Sequence, residues 1–240
     1  MNWFVKLLTT AIWISITQTS QAQHRYNSWF RSTTSLPIGK KFKIDNEFQH
    51  RRQNGFDNTN LFDKNLMFTY RIWGHYQHNK DVKFSVSPFT YFTHYRIIQD
   101  KSDEVVTPNN EIRFSAAVEL QHEFLNKFYI IDRTAIEYRI FNNQSDITRL
   151  RNRFGFRYDF TENIKLSIFD ELLFNVTGTT HEHFFDHDRL GLNLEFKVSP
   201  YFKFDIGYIH ITRLPITSTT TLHENNIFLN LTYQLHKRTK

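Results

Sequence analysis

Arginine recurs at alternate positions along one short stretch of the chain. Arg149, Arg151, Arg153 and Arg157 share one face of an extended strand, because successive strand side chains point to opposite sides. Guanidinium groups bind carboxylate or phosphate in a bidentate manner, so this ladder predicts either an anion-binding wall or ion pairs with carboxylates on flanking strands. We favour ion pairs. The predicted interior charge ladder comprises Arg149, Arg151, Arg153, Arg157, Glu137, Arg139, Glu171 and Glu47.

Three histidines lie close together among carboxylates between positions 181 and 188. Imidazole and carboxylate are ligands for Zn, Cu or Ni, so His181, His183 and His187 are candidate metal ligands. His183 and His187 would meet on one helical turn, but no helix is indicated there. The sequence therefore favours a polar surface loop, and we expect no bound metal and no other cofactor.

Serines and histidines on extended segments raise the possibility of a hydrolase at a barrel rim. Such chemistry needs a serine, a histidine base and an orienting group within hydrogen-bond reach. No spacing selects a triad, and the glycines do not form a nucleophile elbow. We expect a protein without enzymatic activity, with a lipid-modifying hydrolase as the alternative. The candidates are Ser85, Ser87, Ser115, Ser167, His50, His94, His122 and His210.

The composition limits the class of protein. The 240 residues have a mean hydropathy of −0.53, which excludes a bundle of membrane helices. The absence of cysteine excludes disulfides, thiolate metal sites and a cysteine nucleophile. The formal net charge of +6 comes from interleaved charges of both signs, so we do not expect nucleic acid as a partner.

The N-terminal segment has the layout of a cleaved secretory signal peptide. Lys6 precedes an apolar run over Leu7–Ile16, and the small residues Ser20 and Ala22 precede a plausible cleavage site. This pattern predicts a signal peptide over residues 1–22 and a mature domain over residues 23–240. An exported chain of this kind fits the cell outer membrane.

The mature chain repeatedly alternates apolar and polar residues. Leu190, Leu192 and Leu194, for example, alternate with Arg189 and Asn193. About eleven such segments approach the ten residues expected of membrane-spanning strands, and short turns alternate with longer polar loops. The pattern predicts an all-β fold: a single transmembrane antiparallel β-barrel of 10–12 strands with short periplasmic turns and longer extracellular loops. Because an antiparallel closure needs an even number, either one strand is missing from this count or the first segment, Asn27–Leu36, is not a full strand of the wall. The direction of the turns favours the second alternative.

The orientation of the two faces separates a membrane barrel from a soluble one. The predicted export, the long segments and the mixed charges favour an apolar outer face and a charged interior. Aromatic pairs near segment ends, such as Trp29-Phe30 and Tyr91-Phe92, are expected to form interfacial girdles. A periplasmic ligand-binding barrel with an apolar interior is the alternative.

Several motifs resemble those of domain of unknown function family 2490. They are Tyr26-Asn27-Ser28-Trp29, Leu36-Pro37-Ile38-Gly39-Lys40-Lys41-Phe42, Glu47-Phe48-Gln49-His50-Arg51-Arg52, Asp132-Arg133-Thr134-Ala135-Ile136-Glu137-Tyr138-Arg139 and Arg149-Leu150-Arg151-Asn152-Arg153. The resemblance implies an outer-membrane β-barrel of Gram-negative bacteria without an assigned activity. We therefore expect a structural protein or a narrow solute channel. The expected partners are outer-membrane lipid, the outer-membrane assembly machinery and an unidentified small solute.

Overall fold

The computed structural model describes residues 24–215 and 221–235, and the predicted signal peptide lies outside them. Eleven strands and two short 3₁₀ turns, Lys101–Val105 and His181–His183, make up the regular structure of the described residues. The strands are β1 His24–Ile38, β2 Phe42–Gln53, β3 Lys64–Gln77, β4 Val82–His94, β5 Asn109–Leu125, β6 Phe128–Phe141, β7 Ile147–Asp159, β8 Ile164–Thr177, β9 Phe185–Lys197, β10 Phe202–Arg213 and β11 Leu222–Gln234.

The strands form one closed barrel in which each strand pairs with its neighbours in sequence. The predicted number of 10–12 strands is confirmed, but the expectation for the first segment is wrong. β1 is part of the wall, antiparallel to β2 and parallel to β11, with Trp29 opposite Phe228. A parallel closure is what allows an odd number of strands to form a complete barrel, because an antiparallel closure requires alternating directions all round.

The two rims of the barrel differ in the length of their connections. Short turns at residues 39–41, 78–81, 126–127, 160–163 and 198–201 form one rim, the short-turn rim. The connections at the other rim, the long-loop rim, include residues 54–63 and 95–108. β1 begins at the long-loop rim and β11 ends at the short-turn rim. The described residues contain no helix with the length and apolar character needed to cross a bilayer.

The apolar and polar faces have the predicted orientation. Leu190 and Leu192 on β9 are 51% and 47% exposed on the outer surface, whereas Glu137 and Glu171 inside the barrel are at most 2% exposed. One part of the aromatic prediction is wrong. Trp29 and Phe92 are buried in the interior, and only their neighbours Phe30 and Tyr91 are on the outer face. Adjacent strand residues point to opposite faces, so an aromatic pair cannot place both rings in lipid.

Polar side chains interrupt the outer apolar surface across β6–β9. The amide of Asn152 donates to Asp132 at 2.9 Å and to the hydroxyl of Thr134 at 3.0 Å. Asp170 and Asp188 lie on the outward-facing positions of β8 and β9. Carboxylates on the lipid face destabilise a barrel less than lysine or arginine there, so this stripe is compatible with a membrane-spanning wall.

Candidate functional site

A cavity of about 600 Å³ occupies the barrel interior. Among the described residues, twelve arginines line it, against four carboxylates, Glu47, Glu119, Asp205 and Glu224. Adding Asp103, Glu111, Glu137, Glu171 and Asp186, which contact these arginines, gives nine carboxylates against twelve guanidinium groups. The interior therefore carries excess positive charge. The arginines are Arg31, Arg51, Arg71, Arg96, Arg113, Arg133, Arg139, Arg149, Arg151, Arg153, Arg189 and Arg213.

Glu137 on β6 is the centre of the charged wall. Its Oε2 atom accepts from Nη2 of Arg149 at 2.6 Å and from Nη1 of Arg113 at 3.2 Å. Its Oε1 atom accepts from Nη1 of Arg151 at 2.6 Å. β5 and β7 flank β6 in the sheet, so the alternation of inward side chains brings these groups together. Such charge-assisted bonds fix the planes of the guanidinium groups.

Glu171 and Glu111 extend the wall to either side. Glu171 on β8 pairs with Arg151 at 2.7 Å and with Arg153 and Arg189 at 3.2 Å each. Glu111 on β5 pairs with Arg113 at 2.6 Å and with Arg139 at 3.0 Å, and Arg113 connects it to Glu137. The structure thus joins six predicted ladder residues in one network: Arg149, Arg151, Arg153, Glu137, Arg139 and Glu171.

The other two predicted ladder residues lie apart from this network. Arg157 faces inward near the short-turn rim, where Nε donates to Asp159 at 2.8 Å. Glu47 is on β2, on another part of the wall, within 3.5 Å of Arg31 and 3.8 Å of Arg71. Spacing along the chain gives the inward face of each residue, but the strand pairings decide which charges meet.

Arg51 and Arg133 are the lining arginines without a carboxylate within 4 Å in the described chain, and neither was predicted as a site residue. The guanidinium of Arg51 lies over the indole of Trp29, 3.5 Å from the ring centroid, and Nη2 donates to Gln49 at 3.1 Å. Arg133 lies 5.5 Å from the ring of Trp73. The sequence signal for Arg51 is its alternation with Lys43, Asp45 and Glu47 on β2.

An apolar cluster lines the interior beside these charges. Trp29, Ile209, Ile211 and Phe228 are buried together, and Phe169 packs against them. The ring of Phe169 lies across Gly191, where a Cβ atom would overlap it. Glycine therefore allows this aromatic ring to lie flat against the wall, which leaves the cavity open.

The loop over residues 95–108 folds over the cavity at the long-loop rim. Arg25 donates to the carbonyl of Gln99 at 3.0 Å, and the amide of Gln53 donates to the carbonyl of Arg96 at 2.8 Å.

Farther out, the backbone N–H of Phe56 donates to Glu104 at 2.9 Å. This bond, with Lys64 nearby, holds the pKa of Glu104 below its ordinary value. The loop is thus fixed to the wall and to its neighbouring loop.

The structure separates the three candidate metal ligands. His181 and His183 lie in a 3₁₀ turn outside the wall, and Nδ1 of His183 is 3.1 Å from the hydroxyl of Thr180. His187 is on β9, 2% exposed, with Nδ1 3.1 Å from Asp186. The helical turn that would join His183 and His187 does not form, because β9 begins at Phe185. The described residues contain no group of three potential ligands able to hold a metal ion.

One serine candidate has a histidine and a carboxylate in hydrogen-bond reach. Nδ1 of His75 lies 2.8 Å from Oγ of Ser85, and Nε2 of the same ring lies 3.2 Å from Asp45. These groups are cross-strand neighbours on β2, β3 and β4, inside the barrel near the short-turn rim. Lys43 also binds Asp45 at 2.8 Å. Ser85 is 5% exposed and does not line the cavity, so the arrangement links three strands without presenting a nucleophile.

The remaining serine and histidine candidates do not form such a group. His50 stacks on Phe68 on the outer face, with the ring centroids 4.1 Å apart. His94 lies 2.8 Å from Glu111, and Nδ1 of His210 lies 3.1 Å from Asn225.

The hydroxyl of Ser87 lies 2.9 Å from the hydroxyl of Thr90. His122 is exposed on the outer face, Ser115 is buried, and Ser167 lines the cavity.

Comparison with known proteins gives a family. The model of the protein family of unknown function DUF2490 matches residues 26–218, most of the strands described above. The chain belongs to this family. The resemblance seen in the sequence motifs is thereby confirmed, and the family brings no assigned activity. No curated protein matches the chain.

A solved porin has the same general fold. The crystal structure of the NanC porin in its rhombohedral form aligns with a TM-score of 0.52 and 10% sequence identity. The alignment covers 87% of this chain and 98% of the porin chain. At this identity the likeness establishes the membrane-spanning β-barrel fold alone.

Proposed function

We propose that the protein is a narrow outer-membrane channel that favours anions. The observation that carries this proposal is the arginine excess around the open interior cavity. In an interior enclosed by a low-dielectric wall, excess positive charge attracts anions and repels cations. The porin-like fold supports a passage through the barrel, and the outward apolar face supports a lipid environment.

In this proposal the chain is exported across the inner membrane and takes one orientation in the outer membrane. The N-terminal segment acts as a cleaved export signal, and the short-turn rim faces the periplasm. Outer-membrane lipid contacts the apolar surface, and the assembly machinery inserts the barrel. A purely structural barrel is the alternative within the same fold, and ion conduction distinguishes the two.

The test is the reversal potential of the purified protein in a planar bilayer under a KCl gradient. An anion-favouring channel gives a potential shifted toward the chloride equilibrium value. Arg133→Gln, which removes an unpaired lining charge, should reduce this shift, whereas Arg157→Gln near the short-turn rim should change it less. A preference for potassium, or no conductance at all, would refute the proposal.

A hydrolase is the second candidate because Ser85, His75 and Asp45 lie within hydrogen-bond reach. The burial of Ser85 opposes it. A fluorophosphonate probe offers a direct check, since a nucleophilic serine is labelled covalently. We expect no labelling of the folded protein. Labelling that disappears in Ser85→Ala would assign the protein an enzymatic activity.

A further inference from the structure

The cavity near the long-loop rim combines unpaired cationic and apolar surfaces. Arg51, Arg189 and Arg213 line the same cavity, where Arg189 and Arg213 repel Arg51 and Glu224 attracts it. Arg189 shares Glu171 with Arg151 and Arg153, and Arg213 has Glu224 at 2.9 Å. These three arginines therefore keep positive charge that the carboxylates in the described part of the chain do not neutralise.

Arg51 is held in place without an acidic partner among the described residues. Stacking on Trp29 at 3.5 Å and one bond to Gln49 fix the plane of its guanidinium. A guanidinium carries five N–H donors, and the bond to Gln49 uses one of them. A fixed planar guanidinium with unused donors is suited to a carboxylate or phosphate oxygen, because it loses little conformational freedom on binding.

The apolar cluster lies directly beside this charge. Trp29 is the register partner of Arg51 on one side and of Phe228 on the other. Phe228 and Ile209 line the same cavity as Arg189 and Arg213. An inorganic anion would use only the arginines, whereas an anion with an attached ring would also cover the apolar side chains.

We propose that this part of the lumen is a binding site for ring-bearing organic anions, namely carboxylates or phosphates attached to an apolar or planar ring. Arg51, Arg189 and Arg213 bind the anionic group, and Phe228 and Ile209 contact the ring. The cavity of about 600 Å³ is large enough for one such molecule. This inference rests on the proposed anion channel, since the ligand reaches the site through the lumen.

Tryptophan fluorescence measures binding independently of conduction. The predicted mature chain contains two tryptophans, Trp29 and Trp73, so a Trp73→Phe variant isolates the signal of Trp29 beneath Arg51. We would titrate this variant in lipid vesicles with benzoate, with acetate and with benzamide. Acetate carries the charge without the ring, and benzamide carries the ring without the charge.

Benzoate should bind at least about tenfold more tightly than either control, and Arg51→Gln should weaken it about tenfold. Arg157→Gln is the matched control, because that arginine faces inward but does not line the cavity. Equal affinities for benzoate and acetate, or unchanged benzoate binding in Arg51→Gln, would overturn the site. If the bilayer shows anion current but benzoate has no advantage, the channel stands and the ring-anion site falls. Preferential benzoate binding without current would refute conduction and show that the ligand reaches the site from one rim of the lumen.

Discussion

Glu137 determines whether the arginines of the charged wall are compensated. It is 2% exposed and accepts from Arg113, Arg149 and Arg151. Removing one partner of a buried ionic network leaves the others uncompensated, and this is costly, whereas a partly exposed pair contributes little. The stabilising role of the wall thus depends on its few carboxylates more than on its many arginines.

Glu137→Gln should lower the free energy of unfolding by about 3–5 kcal/mol, because three arginines lose their shared negative partner. The measurement is urea unfolding of the protein in lipid vesicles. Glu119→Gln is the control. Glu119 contacts Lys83 at 2.6 Å and its side chain is 28% exposed, so its loss should cost at most about 1 kcal/mol. Equal losses in the two variants would show that the wall is not a cooperative network.

The sequence predicts which charged side chains face inward, but not which of them form ion pairs. The alternation of Arg149, Arg151 and Arg153 predicts their inward face, and the flanking strands supply the carboxylates of Glu137 and Glu171. The sequence does not show that Arg51 differs from these arginines. Whether an inward arginine has a carboxylate partner depends on which side chains the adjacent strands place beside it. That depends on the register of the whole wall.

Along the strands, glycine and aromatic residues act together to keep the interior open. The ring of Phe169 on β8 lies over Gly191 on β9, and the two are register partners. A side chain at position 191 would push this ring into the cavity. Gly74 on β3 has a different setting, since an added Cβ would meet only Val86 at 3.6 Å, an ordinary contact distance.

Gly191→Ala should therefore destabilise the barrel by about 1–3 kcal/mol through overpacking. Gly74→Ala should be neutral or stabilising, because alanine loses less backbone entropy than glycine on folding. The two changes are chemically identical and both lie within strands, so a comparison of their unfolding midpoints is well matched. A Gly191→Ala variant as stable as Gly74→Ala would contradict the packing described for Phe169.

For the complete barrel, the strands could be predicted from the sequence, but the pairing that closes the barrel could not. Period-two alternation is local, so the extended segments, the turns and the orientation of Leu190 and Leu192 were predictable. The pairing of β1 with β11 joins the two ends of the chain, and no local pattern encodes its direction. The assumption of an even strand number therefore led to the wrong placement of the first segment.

A disulfide tests the parallel closure directly, because the chain has no native cysteine. Ser32 and Leu231 are register partners, and both lie on outward-facing positions. Ser32→Cys combined with Leu231→Cys and Ser28→Cys combined with Ile227→Cys should each form a cross-link under mild oxidation, seen as a change in gel mobility, because register partners advance together only in a parallel pair. Ser32→Cys with Ile227→Cys should not, since four residues along a strand separate the positions by about 13 Å. The opposite outcome would exclude this register.

In the proposed orientation, the apolar face of the barrel contacts lipid while the charged face encloses water. Leu192 and Asn193 on β9 are adjacent and point to opposite sides; Leu192 is 47% exposed outside, and Asn193 lines the cavity. Single cysteines at these positions can carry nitroxide spin labels in lipid vesicles. The label at position 192 should be relaxed more by oxygen, which partitions into lipid, and the label at 193 more by a water-soluble nickel chelate. If the label at 192 is reached by the nickel chelate and the label at 193 by oxygen, the barrel has the opposite orientation and the account is wrong.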